Sequence, residues 1–376
     1  MYDYLIVGAG LFGATFAHEM TKKGKKCLVV DKKPHIGGLC YTEERYEINV
    51  HVYGAHIFRT DSKEVWDFVN QFAEFNRFTN CPLAKYHDEL YNMPVNMNTL
   101  HQMFGVVTPK EAKERVEQDK VHFDSPQNAE EYCLTTIGKT LYEKLFKEYT
   151  EKQWEKKCTE LSTSILSNLP VRYTYDNSYF DARYQGVPIG GYTQIFEKML
   201  QGSVVLLNTD YYENEWLRTI AKKTIFTGEI DKFFQYRFGK LGYRSLEFKH
   251  DLFCESDMQG NAVVNYTSHD VPYTRTIEHK HFEGIKHLPY TIVSKEFPVP
   301  YTEENEPYYP VPNQRNNELY KRYHDLTKEL NGIVFAGRLG TYSFDNMDKA
   351  IRSARELARK EESHGEEELP RRRSSS

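Results

Sequence analysis

The chain has 376 residues, enough for two or three domains around a sizeable buried core. Hydrophobic residues make up 39% and charged residues 27%, a globular balance, and the net charge of −5 argues against a nucleic-acid partner, which requires a concentrated basic face. No segment reaches the roughly 18 apolar residues of a spanning helix, and the opening MYDYLIVG lacks the basic and apolar regions of a signal peptide. A cytoplasmic protein without a membrane partner is expected. The six cysteines (Cys27, Cys40, Cys81, Cys133, Cys158, Cys254) form no C-x-x-C pair and no metal-spaced cluster. Free thiols in a reducing compartment, and no metal, follow from that spacing.

The first 31 residues predict strand, turn, helix, strand. Residues 3–7 (DYLIV) form a short apolar run of the buried parallel type, residues 11–23 have helical spacing and end at a glycine, and residues 27–30 (CLVV) are a second strand. A helix is expected over 62–78, and a mostly helical stretch over 99–166, ended by Pro170. From Val204 the chain returns to short strands: SVVLLN, KTIFTG, then YRSLEFKHDLF, NAVVNYTS and YTIVSKEF, of which the last three predict an antiparallel sheet. Residues 332–336 (GIVFA) are again a buried strand, followed by a helix over 345–359. The chain thus leaves and re-enters its first domain. The expected division is a discontinuous cofactor domain (1–75, about 190–240 and 325–360), a helical domain (about 76–168) and an antiparallel-sheet substrate domain (about 169–189 and 241–324). The last stretch, 361–376, consists of charge blocks and is expected to be disordered.

Gly8-Ala9-Gly10-Leu11-Phe12-Gly13 is a G-x-G-x-x-G between a strand and a helix. Gly8 permits the tight turn, Gly10 lets the backbone approach a pyrophosphate, and Gly13 lets the helix pack on the strand. The phosphate then meets unpaired N–H groups and the positive end of the helix dipole. Asp31 ends the second strand, where a carboxylate accepts from ribose hydroxyls. The fold class expected is therefore α/β, with a Rossmann-like domain binding a dinucleotide. Lys32-Lys33-Pro34-His35-Ile36-Gly37-Gly38 resembles the segment after the acid in FAD-binding folds of the glutathione reductase type. Two later strands that end in glycine, TIFTG and IVFAG with Gly337, resemble their returning segments. FAD is therefore favoured over NAD.

Several motifs in order resemble bacterial UDP-galactopyranose mutases: DYLIVGAGLFG, HIGG followed by YT, VYGAHIF, EFNRFTN, YTEKQW, PVRYTYDNSYFDARYQGVPIGGYTQIFEKML, VPYTRTIEHKHF and EPYYPV. The resemblance implies an isomerase without net redox change. In that family reduced FAD attacks the anomeric carbon through N5 and expels UDP, and the sugar recloses through its other hydroxyl. It also implies an electron donor for the flavin, a homodimer, and a product used in polysaccharide biosynthesis. By the same resemblance Phe12, Asp31, Gly38, Leu39, His56 and Ile57 line FAD, with Arg244, Arg338 and Met347. Phe146, Tyr149, Thr150 and Trp154 match a uridine-facing lid region. Tyr179 and Phe180 match uracil and ribose-diphosphate contacts, and Asn80 and Asn265 match polar groups at the substrate. Arg275 and Tyr309 match diphosphate ligands, for which aromatic faces and arginine forks are suited.

The site also departs from the family pattern. Asn168 stands where the family has a second diphosphate-clamping arginine, Phe344 where it has a diphosphate-binding tyrosine, and Asn346 where it has an aspartate near the flavin. Arg59 replaces a histidine beside the sugar, and Leu39-Cys40 replaces Asn-Ala. Losing one charge-assisted and one neutral hydrogen bond costs roughly 2–4.5 kcal/mol, or about 30- to 2,000-fold in affinity. Arg172 is no spare clamp, because the family has an arginine there too. Four readings stay open: a mutase acting on UDP-galactose or its 2-acetamido form, a homologue acting on another nucleotide sugar or a natural-product intermediate, a net redox flavoenzyme, and a non-catalytic FAD-binding homologue.

Overall fold

In the computed structural model, residues 1–166, 169, 171–311 and 313–367 are described. The βαβ opening forms as expected: β1 (Tyr2–Val7), α1 (Leu11–Lys22) and β2 (Cys27–Val30). A hairpin follows, β3 (Thr42–Arg45) and β4 (Ile48–His51), then β5 (Phe58–Thr60) and α2 (Lys63–Val69). Ser62 caps α2 by accepting from Val65 N. This helix is shorter than the 62–78 expected. Beyond Asn70 the chain turns, and the Asn76 side chain takes the N–H groups of Phe78 and Val187 in place of a helical carbonyl.

The next segment corrects the sequence reading. Its first part is a hairpin, β6 (Leu83–Tyr86) and β7 (Glu89–Asn92), and only then come α3 (Met97–Phe104), α4 (Pro109–Asp119), α5 (Ala129–Thr136) and α6 (Lys139–Leu141). A π-helical turn, Tyr142–Lys147, leads into α7 (Glu148–Trp154). These helices bury their own core of Leu100, Val116, Cys133, Leu145 and neighbours. The chain continues through β8 (Tyr184–Gly186), α8 (Thr193–Met199), β9 (Val204–Leu206), β10 (Ala221–Phe226) and α9 (Ile230–Phe233). There follow β11 (Tyr243–Phe253), β12 (Val263–Tyr266), β13 (Arg275–Glu278), α10 (Lys280–Glu283), β14 (Thr291–Pro300) and β15 (Tyr309–Pro310). Last are α11 (Gln314–Thr327), β16 (Ile333–Phe335), α12 (Gly337–Gly340) and α13 (Met347–Glu367). The final helix runs to Glu367, past the 359 expected, so the segment from 361 to 367 is helical rather than disordered; residues 368–376 lie outside the described residues.

Two sheets organise the molecule. The first is parallel, in the order β16-β10-β1-β2-β9, which confirms the α/β Rossmann-like class and the return of distant segments beside β1. The second has the order β15-β11-β14-β13-β12-β6-β7. It is antiparallel except where β12 meets β6, so the hairpin 83–92 extends this sheet rather than the helical unit. Helices α1 and α13 cover one face of the first sheet with Phe16, Ala17, Ile351 and Ala354. Arg355 of α13 fastens it to α1 through Glu19 at 2.8 Å and to α2 through Glu64 at 2.9 Å.

Candidate functional site

The glycine-rich turn builds the first cavity. A Cβ on Gly13 would lie 2.0 Å from the Gly8 carbonyl oxygen, so only glycine lets α1 approach β1. Gly10 differs, because among the described residues, its chain neighbours aside, only Gly38 Cα, at 3.8 Å, comes near its missing Cβ. The space there belongs to a ligand, and Gly38 faces it from the other side. Among the described residues no side chain caps α1, and no acidic residue sits in its first turn, which leaves its first N–H groups for an anion. Asp31 accepts from Ala9 N at 2.8 Å and from Lys33 N at 2.9 Å. Each carboxylate oxygen keeps a lone pair for a ribose hydroxyl.

The cavity also takes in Phe12, Leu39, His56, Gly337, Arg338 and Met347. It is lined as well by Asp210, Tyr211 and Tyr212, which the sequence reading missed. They follow β9, and nothing in their local pattern marks them as lining a site. Glu306 pairs with Lys33 at 3.3 Å on the same wall. An anion cradle, a ribose-facing acid and a long apolar slot fit FAD.

A second cavity meets the first along Leu39, His56, Arg338, Asp345, Asn346 and Met347. All the residues expected to face substrate line it: Asn80, Phe146, Tyr149, Thr150, Trp154, Tyr179, Phe180 and Asn265. Arg275, Tyr309, Arg59, Phe344 and Asn346 line it too. Asn168 lies outside the described residues. Ile57 lines the second cavity and not the first, and Arg244 lines neither. The Arg244 guanidinium donates to Gln153 O at 3.0 Å and pairs with Glu155 at 2.5 Å, so it holds the C-terminal end of α7. Arg244, expected to line FAD, is thus placed by the β11 backbone against the helix end, with its Nη2 buried and without a hydrogen-bond partner among the described residues.

The electrostatics of the second cavity centre on Arg275. Its side chain keeps 26% exposure, and Nε lies 3.0 Å from Oε1 of Glu296, itself 4% exposed. The N–H is not well aligned with that oxygen, so the contact is an ion pair more than a hydrogen bond. Burial, the largest single effect, opposes the arginine's charge, but Glu296 together with Tyr149 and Tyr309 outweighs it and raises the pKa. Nη2 also approaches Tyr149 Oη at 3.5 Å. Glu296, on β14 opposite Arg275, escaped the sequence reading, although its place in the expected strand YTIVSKEF puts it on a sheet face.

His56 Nδ1 lies 2.7 Å from Gly54 O, a pairing that requires the proton on Nδ1. Burial pushes its pKa down to about 4, so at neutral pH the ring is uncharged and Nε2 is an acceptor. Burial likewise lifts Tyr309 to about 12, keeping its phenol protonated. The Phe344 ring stacks on Tyr309 with centroids 5.4 Å apart and remains 68% exposed at the cavity wall. The guanidinium of Arg59 lies 3.9 Å over the Phe180 ring. Arg172 donates to Ser178 O and Tyr179 O, fixing the segment that carries those rings. Asn346 accepts from Lys349 N at 2.9 Å and caps α13.

A family model described as UDP-galactopyranose mutase matches residues 144–344, and one described as an NAD(P)-binding Rossmann-like domain matches residues 6–72. The chain is 37% identical to the dTDP-fucopyranose mutase of Escherichia coli, over 95% of this chain and 98% of that one. The chain belongs to the UDP-galactopyranose mutase family. It is also 37% identical to the probable UDP-galactopyranose mutase of Klebsiella pneumoniae, over 95% and 94% of the two chains. A crystal structure of reduced UDP-galactopyranose mutase superposes with a TM-score of 0.75 at 13% identity, covering 97% of this chain and 94% of that one, which shows the shared fold. The chain is thus a sugar mutase, an isomerase, and FAD is its cofactor. Among the described residues no helix is long and apolar enough to cross a membrane.

Proposed function

We propose that this family member interconverts the pyranose and furanose forms of a nucleotide hexose, with UDP-galactose or its 2-acetamido analogue as substrate. The observation that supports this most is Arg275, a cation held by Glu296 on the wall of a cavity that opens onto the flavin site. Reduced FAD, when bound, supplies a nucleophile toward the anomeric carbon. The protein's own residues do the rest. Arg275 and the protonated Tyr309 receive the diphosphate as it gains charge on leaving. Tyr179 and Phe180 offer faces to the base and ribose, and Arg59 stands over Phe180 to add positive potential. Neutral His56 accepts a hydrogen bond where the two cavities join. Trp154, Thr150 and Phe146, which line the second cavity, help to keep water from the bound sugar nucleotide.

A second reading, a different nucleotide sugar, is favoured by Phe344, an apolar ring stacked on Tyr309, and by the equal identity to a dTDP-fucopyranose mutase. A homodimer, cytoplasmic location, a separate electron donor and a product for polysaccharide synthesis belong to the same proposal and rest on the family. Chromatography of dithionite-reduced enzyme with UDP-galactopyranose, its 2-acetamido analogue and dTDP-fucopyranose tests it. Furanose from a UDP sugar supports the first reading, and furanose from the dTDP sugar alone replaces it with the second. Failure with all three would overturn the mutase assignment on these sugars.

A further inference from the structure

Lys152 lies on α7 between the cavity-lining residues Tyr149, Thr150 and Trp154, yet lines neither cavity. Its ammonium donates to three main-chain carbonyls: Tyr266 O at 2.7 Å, Tyr273 O at 3.0 Å and Val271 O at 3.3 Å. That uses all three of its N–H donors. Among the described residues, no carboxylate lies within ion-pair distance of it. The three carbonyls belong to the end of β12 and the connection to β13, beside Asn265 and Arg275, which face substrate. Burial lowers the Lys152 pKa to about 8, with Glu148 and Asp270 opposing that shift. An amine held at that cost is compensated by the carbonyl cage. The same connection is tied to the helices three more times, by His269 N donating to Glu148 at 2.5 Å, His269 Nε2 lying 3.5 Å from Glu151, and Thr267 Oγ1 donating to Lys144 O at 2.7 Å.

We infer that Lys152 is a positioning residue that locks the aromatic wall of the cavity, carried by α7, to the arginine-bearing wall formed by β12 and β13. Lys152 makes three of the contacts that join the two walls, and the gap between Tyr149 and Arg275, 3.5 Å across at the hydroxyl, lies beside its cage. When the cage breaks, α7 moves against the sheet and the two walls no longer meet the same nucleotide together. Flavin binding is expected to be untouched, because no residue of α7, β12 or β13 lines the first cavity.

Lys152→Met keeps the length and removes the ammonium; Lys152→Arg keeps the charge and the donors. Lys156→Ala, at an exposed position just past the helix, is the control. In FAD-loaded, substrate-free enzyme, backbone hydrogen exchange over Glu148–Trp154 is expected to quicken roughly tenfold in Lys152→Met, since a charge-assisted contact is lost. KM for the nucleotide sugar is expected to rise about tenfold with kcat within about twofold and flavin content unchanged. Lys152→Arg should recover most of both, and Lys156→Ala should match the parent. Unchanged exchange over α7 in Lys152→Met overturns the inference, as does a fall in kcat at constant KM. The kinetic arm rests on the mutase reading and the exchange arm does not, so a parent enzyme that fails to turn over refutes that reading while the lock is still tested.

Discussion

Arg275→Met perturbs the group on which the substrate assignment depends most. Removing the guanidinium deletes charge-assisted hydrogen bonds to a diphosphate, about 1.5–3 kcal/mol, which corresponds to roughly 10- to 150-fold weaker UDP binding. It also strands Glu296, whose side chain is 6% exposed. Breaking a fully buried pair costs roughly 3–5 kcal/mol, but Arg275 is 26% exposed and water screens the site, so about 1–3 kcal/mol of stability is the expected loss. Glu296→Gln in the same chain removes the stranded charge. The double variant should recover stability without recovering UDP affinity. Calorimetric titration of UDP into each FAD-loaded variant, beside a thermal melt, separates the two effects. If Arg275→Met binds UDP within twofold of the parent, or the double variant regains full affinity, the diphosphate role of Arg275 is refuted.

Gly10→Ala should fold but release its flavin, because the added methyl meets ligand space and, among the described residues beyond its chain neighbours, no atom closer than 3.8 Å; Gly13→Ala should fail to fold well, because it meets a carbonyl at 2.0 Å. Flavin absorbance and circular dichroism of the two variants distinguish these outcomes. Phe344→Tyr should tighten UDP binding about 2- to 12-fold, the worth of one neutral hydrogen bond, read by the same titration. Asp231 is lifted by burial from 3.8 to about 6, so the fold favours its protonated form. Its contribution is complete below the unfolded value and is lost as pH rises through about 6, so Asp231→Asn should gain up to roughly 3 kcal/mol over the parent between pH 4 and 7, measured by denaturant unfolding.

The cofactor half of the site was legible because its chemistry is local. Gly8, Gly10, Gly13 and Asp31 sit within one βαβ unit, and the spacing of a dinucleotide cradle is fixed over that short stretch. The substrate half was legible through the resemblance, since Tyr149, Tyr179, Asn265 and Arg275 come from four separate segments that no periodicity joins. What stayed hidden is set by long-range pairing. The hairpin 83–92 reads as part of a helix-rich stretch until β12 pairs with it in parallel. Glu296 looks like one polar residue of an alternating strand until β13 places Arg275 opposite. Arg244 follows family position but is turned by β11 toward the end of α7, a contact between residues 91 apart in sequence.

The most direct test of the central claim, that two joined cavities let a reduced flavin serve a sugar isomerisation, compares reduced and oxidised enzyme on the same UDP-galactofuranose under anaerobic conditions. The account predicts UDP-galactopyranose from the reduced form alone, with many turnovers per reduction and no reductant consumed in step with product. Equal conversion by oxidised enzyme, or one reductant spent per product, would contradict it.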